Sequence, residues 1–168
     1  TPAAIIKDTP SKSICQLETL GQAHVTLGDE KGAIALLEAV YKANPKCLKV
    51  LLHLTHTHLN EGKGKKVIAI LQPLIKPGVD DRLRVLLAHG KRLEGDLAGA
   101  ISILETLVDT GRADDSHIRL LITMYLQQKA EKQRIADWKV RAAKDPKDSV
   151  ARVVDGTLLH YRDKFVES

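Results

Sequence analysis

Apolar residues recur along the chain at the spacing of helix faces. Ile34, Leu37, Val40 and Tyr41 form one stripe, and Ile101, Leu104, Leu107 and Val108 form another. Steps of three and four residues place such side chains on one side of an α-helix. Polar punctuation separates the stripes. Gly28-Asp29 and Gly95-Asp96 each suit a helix end followed by the N-cap of the next helix. Thr9-Pro10 reads as a cap followed by proline at the first helical position. Pro77-Gly78 and Asp145-Pro146 stop helices. Pro73 falls inside an apolar helical stretch, where it offers no amide to the carbonyl of Ala69, and it predicts a kink. The tail carries Val150, Val153, Val154, Leu158, Tyr161 and Phe165 at roughly helical spacing.

The stripes repeat in register. Leu20, Leu54, Leu87 and Leu121 open similar segments, and each segment runs to a turn position: Gly28, Gly62, Gly95 and Lys129. Those turns are spaced by 34, 33 and 34 residues. Ala33, Val67 and Ala100 follow the three glycines by five positions, and Leu37, Leu71 and Leu104 follow four residues later. Trp138 takes that last place in the fourth unit, where Lys129 replaces the turn glycine and Arg134 the small residue.

This pattern resembles the tetratricopeptide repeat family, built of helix–turn–helix units of about 34 residues. The landmarks in the first unit are Leu20-Gly21, Gly28-Asp29, Ala33, Leu37 and Pro45. The third keeps Leu87, Gly95-Asp96, Ala100 and Leu104, and the fourth has Leu121, Tyr125, Trp138 and Pro146. The implied fold is all-α: an α-solenoid of about four helix–turn–helix repeats with a C-terminal capping or partial-repeat helix. The expected divisions are a linker or fragment end at 1–13, repeats at 14–47, 48–80, 81–114 and 115–148, and a terminal helix at 149–168. Ala33 and Ala100 are small because the two helices of a unit cross closely there. His24, His58 and Lys91 stand where the family often has a tyrosine. For the two histidines the expectation is a packed ring with one nitrogen bonded. For Lys91 it is a stem snorkelling between helices.

Composition narrows the function classes. Aromatics make up 3% of the 168 residues, and the net charge is +5. Nucleic-acid binding by a basic stripe with stacking aromatics is disfavoured on both counts. The cations concentrate in the second and fourth units; the second carries Lys49, Lys63, Lys65, Lys66 and Lys76 against Glu61 and Asp80. The longest apolar runs fall short of the ~18 residues of a membrane span. No secretory signal opens the chain, and its first residue is not Met, which points to a processed or excised piece. Stacked repeats bring the two cysteines, Cys15 and Cys47, fairly close; a disulfide needs a specific Cα separation that spacing does not supply, and free thiols are the default expectation.

Candidate chemistry is sparse. His53 and His56 share a helical face, but no acid or cysteine nearby completes a tetrahedral site, so no metal and no cofactor are expected. Gly62-Lys63-Gly64-Lys65-Lys66 lacks the strand and spacing of a phosphate loop and reads as a solvated turn. No nucleophile–base arrangement stands in a recognisable setting, and the chain reads as non-catalytic.

The resemblance implies a concave groove lined by the first helix of each repeat and gripping a peptide. Its groove-facing places map to Glu18, Gln22, Val25 and Thr26 in the first unit and to Lys49, Leu52, His56, Leu59 and Asn60 in the second. They continue as Arg82, Val85, His89, Arg92 and Leu93, and then Ser116, Arg119, Thr123, Leu126 and Gln127. His56 and His89 hold equivalent places and are expected to be neighbours. Cations mixed with Leu and Val suit a protein segment with acidic side chains and apolar anchors. The chaperone-binding members of the family hold a terminal carboxylate with a Lys and Asn set. Glu18 and Gln22 stand at those places, which argues against heat-shock-protein tails. The expected role is a scaffold or adaptor for protein–protein interaction. The alternative is a self-assembling or regulatory repeat domain of a larger protein or enzyme complex.

Overall fold

The computed structural model describes residues 14–128 and, beyond them, positions 136, 140, 143, 144 and 153. The described residues hold seven α-helices, two short 3-10 turns and no strand. The helices are α1 (Glu18–Thr26), α2 (Glu30–Ala43), α3 (Leu48–Asn60), α4 (Gly64–Leu71), α5 (Asp81–Leu93), α6 (Leu97–Asp109) and α7 (Asp115–Gln128). The 3-10 turns are Ile14–Leu17, before α1, and Gln72–Leu74, after α4. Lys129, Arg134, Trp138 and Pro146 lie outside the described residues. So does the expected terminal helix, apart from Val153, which is helical and buried.

Two compact units divide the chain, Thr1–Pro77 and Gly78–Ser168. In the first, α1 packs on α2 and α3, α2 on α3, and α3 on α4. Its core joins Leu36, Leu37 and Val40 of α2 to Cys47, Val50 and Leu54. Steps of one, three and four residues set these side chains on one helix face, and burying each leucine contributes roughly 1.5–3 kcal/mol. Gly21 lets α1 lie close: a Cβ there would come within 2.9 Å of Leu37 Cδ2. In the second unit α6 packs against both α5 and α7. Leu104 and Leu107 of α6 interlock with Ile118, Leu121, Ile122 and Tyr125 of α7, and Val153 joins the same cluster. The Tyr125 hydroxyl donates a hydrogen bond to the Glu105 carboxylate across α6 and α7. Ala33 and Ala100, the expected crossing points, are wholly buried.

Pro73 acts differently from the kink its position suggested. α4 ends at Leu71, after 8 residues, and Pro73 sits in the 3-10 turn that follows. Its missing amide and ring end the helix instead of bending a longer one. The other second helices, α2 and α6, run 14 and 13 residues.

One device recurs at the tip of the helix pairs. The turn glycines Gly28, Gly62 and Gly95 have φ of 77°, 70° and 80°, the left-handed region where a Cβ is strained. Asp29 and Asp96 then cap α2 and α6 by accepting the amides of Gly32 and Gly99, each at 2.9 Å. Each carboxylate also holds a group from the preceding helix: His24 Nδ1 at 2.8 Å from Asp29, and Lys91 Nζ at 2.7 Å from Asp96. The Gly32 amide above all, with His24, holds the Asp29 carboxyl below its ordinary range; Lys91 first, then the Gly99 amide, does so for Asp96. A Cβ on Gly32 or Gly99 would run into that carboxylate. The middle pair departs from this scheme. Lys63 stands at the N-cap of α4 and makes no capping bond.

Candidate functional site

The first helices of the pairs sort their residues by face. On α3, Val50, Leu51, Leu54, Thr55 and His58 are buried. The groove candidates Lys49, His56 and Asn60 are exposed, while Leu52 and Leu59 are half-buried. On α5, Leu83, Leu86, Leu87, Ala88 and Gly90 are buried; Arg82 and Leu93 are exposed, and Val85, His89 and Arg92 are half-buried. On α7, Arg119, Ser116 and Gln127 are exposed, and Thr123 and Leu126 are half-buried. In the first pair Thr26 is exposed, and the side chains of Glu18, Gln22 and Val25 lie outside the described ones. His56 belongs to the first unit and His89 to the second.

Charge pairing divides the arginines of the second unit. Arg82 grips Asp80 with two bonds, Nε to Oδ1 at 2.9 Å and Nη2 to Oδ2 at 2.7 Å. Asp80 meanwhile caps α5 through the Arg82 amide, and the guanidinium first of all holds its carboxyl below the ordinary range. Arg84 and Arg112 share Asp81, at 3.2 and 2.9 Å. Among the described arginines, Arg92 and Arg119 make no ion pair. The Nε of Arg92 is buried and has no hydrogen-bond partner. Val85 and Leu126 pack against the core beside these helices. Val85, His89 and Arg92 on α5 hold the same repeat positions as Arg119, Thr123 and Leu126 on α7. Two uncommitted guanidinium groups and two apolar side chains thus stand on corresponding faces of α5 and α7.

His58 was expected to bond one ring nitrogen, and it bonds neither. Its side chain is wholly buried, and neither nitrogen has a hydrogen-bond partner. Glu38 Oε1 of α2 lies 3.6 Å from Nε2, and Glu61 Oε2 lies 3.5 Å from Nδ1. Lys66 and Lys63 neutralise those carboxylates at 3.1 and 2.8 Å. Burial pushes the imidazole below its ordinary pKa, against the pull of the two carboxylates. The reason is visible in register: where His24 and Lys91 meet a capping aspartate, His58 meets Lys63 at the cap position and turns to more distant glutamates. That substitution is the sequence signal that would have found the cluster.

The expectation of free thiols also fails. Cys47, buried at the N-cap of α3, is disulfide-bonded, and no free cysteine stands among the described residues. Spacing alone gave no Cα separation from which to judge a bridge. Among the described residues no three His, Cys, Asp or Glu side chains gather as a metal would need, and no helix is long and apolar enough to cross a membrane.

A family model described as "Tetratricopeptide repeat" matches residues 24–92. No match to the chain was found among curated proteins or among solved structures. The matched segment covers the two turns at Gly28 and Gly62 and runs through α5 to Arg92. Modules of this family are typically non-catalytic. From the turns at Gly28 and Gly62 to Arg92, residues 24–92 are similar to tetratricopeptide repeats, and protein–protein interaction is the role that this family suggests.

Proposed function

We propose that this protein is a non-catalytic adaptor that holds an acidic, partly apolar protein segment on the solvent-facing side of its first helices. One observation carries the reading: in the second unit, Arg92 and Arg119 are left without ion pairs while Arg82, Arg84, Arg112 and Lys91 are neutralised internally. A guanidinium without a carboxylate of its own is the group that a ligand carboxylate pairs with best, often through two parallel bonds. Val85 and Leu126 supply apolar contact beside them. On α3, Lys49, Leu52, His56, Leu59 and Asn60 supply the same mixture in the first unit. Apolar anchors give affinity, and charge pairing gives selectivity and a faster encounter. Arg82 has a smaller part in this reading, because its charge is committed to Asp80.

The test uses fluorescent peptides of equal length in which Glu and Leu content is varied independently, with binding read by anisotropy. Peptides carrying both are expected to bind. The double reversal Arg92→Glu/Arg119→Glu should weaken them by about tenfold or more, the worth of one good charged contact, with the helical circular-dichroism spectrum kept. Exposed Lys42→Glu on α2 serves as the control and should leave binding unchanged. Equal affinity for wild type and the double variant would refute the proposal.

A further inference from the structure

We propose that the α3–α4 pair is an acid-sensitive latch: protonation of His58 loosens α4 from α2 and α3 and opens the apolar face that α4 buries. The argument begins with the site's geometry. The ring is fully buried, and the carboxylates nearest its nitrogens stand off at 3.5 and 3.6 Å, too far for a well-formed hydrogen bond. An added proton would place a charge where no water reaches. The charged groups facing the ring are Glu38 from α2, Glu61 from the α3–α4 turn and Lys66 from α4. Lys63 also bears on the site through Glu61. α1 also packs on α3, but its His24 is turned to Asp29. Both glutamates already hold a lysine more closely than they approach the ring. Their attraction for an imidazolium is therefore largely offset, and Lys66 opposes it. Burial outweighs the carboxylates and lowers the His58 pKa.

α4 is also the shortest of the described α-helices. It has 8 residues, no side-chain cap, and Lys63, Lys65 and Lys66 at the end where the helix dipole disfavours cations. Pro73 prevents its extension. Opening it lets the ring reach water and exposes Val67 and Leu71, both fully buried when closed. The sign follows from the pKa order. The closed state holds His58 neutral, with a pKa below 6.5, and the open state returns it to about 6.5. Closure is then at full strength above about pH 6.5. It weakens as pH falls, by up to about tenfold per unit, until the closed-state pKa is reached.

The experiment is amide hydrogen exchange on the whole chain at about pH 7.5 and about pH 5.5, with rates corrected for intrinsic exchange. Amides of Gly64–Leu71 are expected to lose up to about tenfold in protection at the lower pH, and those of α6 to keep theirs. His58→Phe, similar in shape and unable to ionise, should abolish the difference. Unchanged or greater protection of α4 in acid overturns the proposal, and so does a pH response that survives in His58→Phe. Should that variant not fold, the wild type still decides through its ring signals in a nuclear magnetic resonance titration. The loss of protection must level off where the His58 ring titrates, and a titration at or above 6.5 overturns the latch.

Discussion

Replacing a glycine inside a helix by alanine ordinarily stabilises by about 1 kcal/mol, through helix propensity and a less flexible unfolded chain. At Gly99 that gain should vanish or reverse. A methyl there would run into the Asp96 carboxylate, which holds both the Gly99 amide and the Lys91 ammonium. Moving Asp96 aside costs a helix cap, about 1 kcal/mol. It also costs an ion pair of up to about 1 kcal/mol, discounted because Asp96 is solvent-exposed. Gly99→Ala alone is therefore expected to be neutral or to destabilise by up to about 1 kcal/mol. In an Asp96→Ala background the obstacle is gone, and the same change should give the full ~1 kcal/mol gain. The coupling in this double-mutant cycle is about 1–2 kcal/mol. Urea titrations followed by circular dichroism measure it, with the slope m checked for a single transition because the chain has two compact units. Gly99→Ala stabilising equally in both backgrounds, with coupling below about 0.3 kcal/mol, would refute the shared-carboxylate account.

Ala100 is wholly buried at the meeting of α5 and α6, so Ala100→Leu should destabilise by ~1–3 kcal/mol through overpacking; a denaturant midpoint equal to wild type would contradict the assigned register. Asp80, Asp96 and Asp114 all have carboxyl pKa values lowered by hydrogen bonds from neighbouring groups, first among them Arg82, Lys91 and Ser116. Their stabilisation is present above the ordinary aspartate value of 3.8 and is lost as pH falls through the lowered values. In an acid unfolding series, Asp80→Asn/Asp114→Asn should show a weaker pH dependence below about pH 4 than wild type.

Much of this architecture is written in the sequence because it depends on local chemistry. A turn glycine at positive φ, an aspartate that can cap, a small residue at a crossing and apolar side chains at helical spacing each act within a few residues. Helices starting at Leu48, Asp81 and Asp115 follow from that code. The exposed or half-buried state of Lys49, His56, Arg92 and Arg119 follows the same periodicity, since the residues that fill the core leave the others at the surface. Where Pro73 would act was legible, but not whether it would bend α4 or end it.

The tertiary structure decided what each surviving charge faces. Nothing local says that Arg112 crosses 31 residues to Asp81, or that Arg92 and Arg119 remain uncommitted. The sequence sets His24 and Lys91 five residues before a capping aspartate and His58 five before Lys63, yet only packing brings Glu38 of α2 to the buried His58 ring. The disulfide at Cys47 is of the same kind. Helix formation, capping and the ion pairs within a turn are set by neighbours along the chain, whereas the pairing of Arg112 with Asp81, of Glu38 with Lys66, and of thiols is set by distances that exist only once helices far apart in sequence have packed.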